Sequence, residues 1–172
     1  RLGVWSAMAA KASAISLIHV SEKGRLGATR LRADEMGVEA LGYVVPNAWM
    51  GRVLHRRLAE LPLDWHCPAQ VERIELWLSS GSVLEAGLTV LADGGRSGLK
   101  EALGIESDAA PYDQVAMIAN VAVGRPHQGV AYERFTRQGP MALLPLPGQA
   151  MELVWTHEKG SEQRRLALSD RA

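Results

Sequence analysis

The last third of the chain places the strongest constraint on what it can fold into. Val115 to Val123, Gly129 to Phe135, Met141 to Leu146 and Met151 to His157 are β-prone, and only Arg125-Pro126-His127-Gln128, Gln138-Gly139-Pro140 and Pro147-Gly148-Gln149 separate them. Connections this short join antiparallel neighbours, so the segments are expected to follow one another as a meander. An earlier pair belongs to the same style. Ala14 to Val20 is a short apolar run ended by the turn cluster Ser21-Glu22-Lys23-Gly24, and Gly27 to Arg32 alternates like its hairpin partner. Tyr43-Val44-Val45 is β-prone and stops at Pro46, whose ring holds Val45 extended.

The middle of the chain reads differently. Met50, Val53, Leu54, Leu58 and Leu61 recur at helical spacing, with Asn47 placed to cap the first turn and Pro62 to end the last. Arg52, Arg56 and Glu60 share another face of that helix. Val71 to Leu78 alternates and turns at Ser79-Ser80-Gly81 into Ser82 to Ala86. Leu88 to Ala92 lacks polar interruption, as a strand buried on both faces would, and runs into Asp93-Gly94-Gly95. Arg96 to Leu103 then suits a short helix closed by Gly104. Strand, glycine turn and helix are the grammar of an α/β layer, so the expected class is α/β mixed with α+β: a partial α/β layer beside an antiparallel β-sheet.

Composition excludes several functions. The 172 residues are enough to bury a core without disulfides or metal. Nineteen basic and nineteen acidic residues give net charge +0, which argues against a nucleic-acid partner. Cys67 is the one cysteine, fitting a reducing, cytoplasmic address, and it precedes Pro68 with no helix N-terminus to activate it. No apolar run reaches membrane-spanning length, and the first residues lack signal-peptide order. The start at Arg1 without a methionine reads as an internal piece of a longer protein. Five histidines form no ligand spacing, so no metal is expected, and with no G-x-S-x-G elbow no catalytic side chain stands out.

One feature resembles a site. In Ala92-Asp93-Gly94-Gly95-Arg96-Ser97 the glycines allow a tight turn and close backbone approach, and Arg96 adds a positive charge. A plain β-turn-α connection has the same spacing, and both readings stand on the residues alone. The string VLADGGRSGLKEALGI resembles the Asp-Gly, Arg-Ser motif of the flavoprotein aromatic hydroxylases typified by para-hydroxybenzoate hydroxylase. YDQVAMIANVAVGRPHQGVAYERFTRQGPMALLPL resembles the matching stretch of the ubiquinone-biosynthesis hydroxylases. HVSEKGRLG and LGYVVPNAWMGRVL resemble the 2-polyprenyl-6-methoxyphenol hydroxylase branch. The resemblance covers most of residues 1–157.

It implies a fragment of a flavin-dependent monooxygenase that hydroxylates a polyprenyl phenol, with FAD and NAD(P)H as cofactors and O₂ as oxidant. Asp93, Gly94, Arg96 and Ser97 inherit contact with the FAD pyrophosphate; Lys100 stands where the motif commonly ends in arginine, losing the bidentate fork. Arg52 occupies the place of a glutamine on the flavin-facing helix. Phe135, Met141, Leu143 and Leu144 are the candidates to line the substrate pocket. Residues 1–46 would supply substrate-domain strands and the end of a preceding helix, 47–112 a partial FAD-binding portion, and 113–172 the β-sheet substrate domain. The implied partners are the polyprenyl phenol, a ubiquinone-biosynthesis protein complex, a peripheral contact with the inner membrane, and further copies of the fragment. The family's G-x-G-x-x-G and later Gly-Asp motifs are not among the 172 residues, so FAD binding by this stretch alone is expected to be negligible. A sister hydroxylase acting at another ring position and a flavin-free β-rich binding module are the alternatives.

Overall fold

A computed structural model describes residues 2–69, 88–95, 98–163 and 167. The chain divides into two compact units, Arg1–Leu61 with Tyr112–Ala172, and Pro62–Pro111. The fold class is α+β, as expected.

The first unit holds a short helix α1 (Trp5–Ala9), strands β1 (Ser13–Ile15), β2 (Leu17–Glu22), β3 (Ala28–Arg32) and β4 (Gly42–Val44), and helix α2 (Asn47–Ala59). After the second unit it resumes with β5 (Gln114–Ala122), β6 (Val130–Thr136), β7 (Gly139–Leu146) and β8 (Ala150–Glu158). β1 and β4 form a two-stranded antiparallel sheet, and the other six strands form one sheet in the order β3-β2-β6-β7-β8-β5. The expected hairpin is β2 with β3, in a register that sets His19 opposite Arg30.

Two features depart from a sequential antiparallel meander. β6, β7 and β8 follow one another, but β5 crosses the end of the sheet to pair with β8. β2 joins β6 in parallel, Leu17 beside Val130, so the sheet is mixed. The crossover from β5 to β6 has seven residues, which extended can span about 23 Å, more than the roughly 14 Å across three strand spacings. Loop length therefore permits both the neighbouring and the crossed arrangement.

Local chemistry sets the element ends. Pro46, with φ −58° and ψ 127°, stands before α2, and its carbonyl accepts from Trp49 and Met50 N–H at 2.9 and 3.0 Å. Asn47 lies inside the first turn and makes no capping bond, contrary to the cap expected of it. At the β6–β7 turn Thr136 Oγ1 accepts from Gln138 N–H at 3.1 Å and donates to the Gly139 carbonyl at 2.8 Å. Gly139 has φ 121°, and a Cβ there would run into the Thr156 carbonyl, so only glycine fits.

The core is narrow. Val53 of α2, Ala33, Ala131 and Met151 are its buried apolar residues among those described, with Pro145 and His157 the largest side chains fully enclosed. Met151 lies opposite Val121 on one side and Pro145 on the other.

In the second unit, Leu88–Ala92 forms no strand among the described residues; Leu88 is 81% and Val90 74% exposed, against the doubly buried strand expected. An apolar run supplies side chains for a sheet, but a ladder also needs a neighbour's amides and carbonyls. Helix α3 is Leu99–Ala102, shorter than the expected 96–103. Gly104 closes it as expected: Gly104 N–H reaches the Glu101 carbonyl at 2.9 Å and Ile105 N–H the Lys100 carbonyl at 3.1 Å, the paired bonds of a Schellman ending. The strands expected at Val71 to Leu78 and Ser82 to Ala86 lie outside the described residues.

Candidate functional site

The Asp-Gly turn belongs to the second unit. Asp93 Oδ1 accepts the Gly95 N–H at 2.9 Å, so the carboxylate braces its own turn. Gly94 and Gly95 have φ 71° and 73°, and nothing lies within 4 Å of a Cβ built on either. The backbone is thus open to close approach, which suits a pyrophosphate held by main-chain groups. Arg96 and Ser97 lie outside the described residues. Lys100 bonds Ser107 Oγ, within the same unit.

Arg52 belongs to the first unit, on α2. Its guanidinium carbon stands 5.3 Å from the centre of the Trp49 ring, and Lys11 Nζ stands 4.9 Å from the same ring. Trp49 Nε1 donates to the Ala7 carbonyl at 3.1 Å, which ties α1 to α2 and fixes the ring on which both cations rest. Trp49, Arg52, Arg56 and Arg57 line a cleft of about 210 Å³ between the two helices. Glu60, paired to Arg57 at 2.9 Å, lines the same cleft, so three arginines and one carboxylate border it and the balance of charge suits an anionic group.

The sheet carries a second concavity, a groove of about 690 Å³. Val44, Val45 and Pro46 wall one side, Leu146, Pro147 and Ala150 another, and Lys11, Asn47, Asn120 and Glu152 supply its polar atoms. Register decides which expected pocket residues lie near it. Asn120, Glu152 and Leu144 are direct cross-strand partners and share one face. Leu144 is therefore on the groove's side of the sheet. Phe135, opposite Pro140, is on that face too, but about 13 Å further along the strands, and is 49% exposed. Met141 and Leu143 point to the other face, in rows with Trp155 and Leu153. The four candidates thus divide between two faces.

Sequence reasoning missed Asn120 and Glu152. Their signal was weak: each is a polar residue inside an apolar strand, as solvent-facing positions commonly are. Among the described residues no group of three or more His, Cys, Asp and Glu is placed to hold a metal ion, and no helix is long and apolar enough to cross a membrane.

No family model matches the chain. In an alignment of 176 positions that takes in 97% of its length, it is 32% identical to ubiquinone hydroxylase UbiL of Rhodospirillum rubrum, and covers 41% of that protein. It is 30% identical over 149 residues to human ubiquinone biosynthesis monooxygenase COQ6, covering 75% of this chain and 32% of that one. Against 3-demethoxyubiquinol 3-hydroxylase of Escherichia coli identity is 30% over 131 residues, covering 72% and 34%. The chain therefore spans roughly a third to two fifths of the curated relatives it matches. Among solved structures, PqsL, a probable FAD-dependent monooxygenase from Pseudomonas aeruginosa, superposes with a TM-score of 0.74 at 19% identity, covering 95% of this chain and 48% of that one. That likeness is one of fold.

Proposed function

From its homology to the ubiquinone-biosynthesis hydroxylases, which extends over nearly its whole length, we propose that the chain is part of a flavin-dependent aromatic monooxygenase acting on a polyprenyl phenol. The observation that carries this is the 32% identity with the hydroxylase UbiL across 97% of the chain. FAD, reduced by NAD(P)H, would activate O₂, one atom of which enters the ring while the other leaves as water. The chain's residues bind, orient and exclude water. Asp93 and the glycines after it form the open turn for the pyrophosphate, with Arg96 and Ser97 beside them in sequence. Arg52, braced on Trp49, presents charge to the anionic cofactor. Residues 47–112 are the FAD-binding portion, and 1–46 with 113–172 the substrate portion. Leu144 and the apolar walls of the groove shelter the ring, with Phe135 further along the same face and Met141 and Leu143 supporting the sheet from behind. A groove lined mostly by apolar side chains with a few polar atoms is the usual form of a small-molecule site.

The prenyl tail implies a peripheral membrane contact, an apolar substrate implies handover within a biosynthetic complex, and exposed apolar strands imply self-association of this stretch. Introducing the full-length gene of which the chain is part into ubiquinone-deficient hydroxylase mutants, with the accumulating quinone precursors identified by mass spectrometry, tests the reading. Restored ubiquinone in one mutant supports it; no change in any precursor counts against it. A second reading, hydroxylation at a different ring position, has support in the 30% identity with both COQ6 and 3-demethoxyubiquinol 3-hydroxylase, and the same assay separates the two.

A further inference from the structure

We propose that Glu152 and Asn120 form a pair that recognises a ring hydroxyl in the groove, Glu152 accepting its hydrogen and Asn120 donating to its oxygen. This rests on the reading of the groove as the substrate site and adds the residues that select a phenol over an ether there. Glu152 of β8 and Asn120 of β5 are direct partners in the ladder, so their Cβ atoms stand about 5 Å apart and on the same face. Both line the groove. An oxygen atom between them is within reach of both side chains, one acceptor-only and the other able to donate through its amide.

The surroundings make a ligand hydroxyl the natural partner. Glu152 is half-buried, and its side chain makes no hydrogen bond or ion pair among the described residues. Glu152 shares the groove with Val44, Val45, Leu146 and Ala150, which offer its carboxylate no donor, and a donor arriving with a ligand supplies one. Lys11, the cation of the groove, is held over Trp49 and not in an ion pair with Glu152. Asn47, at the start of α2, is the polar residue of the facing wall. No bond is made or broken in this recognition: the phenol keeps its proton and lends it to the hydrogen bond. An aromatic ether of the same shape lacks the donor and leaves Glu152 unpartnered.

Titration of the ¹⁵N-labelled chain with 2-methoxyphenol and with 1,2-dimethoxybenzene tests the pair. The phenol is expected to shift the Asn120 side-chain amide and the backbone amides of 44–48 and 146–152, and to bind about tenfold tighter than the ether, the discrimination that a charge-assisted hydrogen bond gives. Glu152→Leu is expected to bring the two ligands within about twofold while Glu152→Gln, whose amide oxygen still accepts, retains part of the preference. Equal affinity of both ligands for the unaltered chain, with shifts in the groove, overturns the pair and leaves the groove reading standing. Shifts elsewhere, or none from either ligand, overturn both. Asn120→Ala supplies a second check, since it removes the donor without touching the carboxylate: both ligands are expected to bind more weakly while the preference persists, and unchanged affinity of both ligands in Asn120→Ala, or an unchanged preference in Glu152→Leu, also overturns the proposal.

Discussion

At the scale of single residues, His127 does more than its place in a loop announces. Its Nε2 lies 2.9 Å from the Leu146 carbonyl and 3.1 Å from that of Gly148, while Nδ1 accepts the Gly129 N–H at 3.1 Å. Carbonyls only accept, so the hydrogen sits on Nε2 and the lone pair on Nδ1. One ring thereby ties the β5–β6 crossover to the β7–β8 turn. His127→Ala should lower stability by about 1–3 kcal/mol, because the part-buried Leu146 carbonyl and Gly129 amide lose their partner together. Urea unfolding measures this, and an unchanged midpoint would speak against the tie. At the end of β3, Arg32 grips Asp34 through Nε at 3.0 Å and Nη2 at 3.1 Å. That hydrogen bond, helped by the Glu35 amide, holds the Asp34 carboxyl below its ordinary value of 3.8. A depressed folded-state value means that the unfolded chain takes up the proton first. The pair's contribution is therefore complete above about pH 4–5 and is lost as pH falls below 3.8 through the folded value. Asp34→Asn should differ from the parent in thermal midpoint at pH 7, with the gap closing on acidification to pH 2; a gap independent of pH would refute the linkage.

At the scale of elements, each strand's value depends on where the ladder places it. Met151 on β8 is 3% exposed, flanked by β5 and β7, whereas Ile118 on the outermost strand β5 is 65% exposed. Met151→Ala should cost about 2–4 kcal/mol through lost contacts and a residual cavity. Ile118→Ala should change stability by less than about 0.5 kcal/mol. Similar denaturation midpoints for the two variants would contradict the sheet order. Sequence made the elements themselves legible: helix α2 within two residues of its ends, the β2–β3 hairpin, the four late strands and the Gly104 ending. Each rests on neighbours in the chain, on helical spacing or a turn residue. The parallel junction of β2 with β6 was not legible, since it joins residues more than a hundred positions apart. The exposed Leu88–Ala92 was misread for the complementary reason, that an apolar pentapeptide carries no record of whether a partner strand lies beside it.

At the scale of the whole molecule, β5 is the exposed edge that matters. Its nine residues, QVAMIANVA, contain no charge, whereas β3 at the other end of the sheet carries Arg30 and Arg32. Uncharged edges invite further strands. Ile118→Lys is expected to leave the unfolding midpoint within about 0.5 kcal/mol of the parent and to reduce concentration-dependent light scattering. Unaltered scattering would overturn the reading of β5 as an associating edge. Sequence by itself determined the mixture of helices with a largely antiparallel sheet, a glycine turn at Asp93-Gly94-Gly95 and the kinship with aromatic hydroxylases, because turn chemistry, periodicity and motif are written in consecutive residues. Tertiary structure alone decided that Leu144 shares a face with Asn120 and Glu152 while Met141 and Leu143 turn away. Alternation along a strand says that neighbours point oppositely, and only the register with other strands, together with what packs over the sheet, says which side faces a groove.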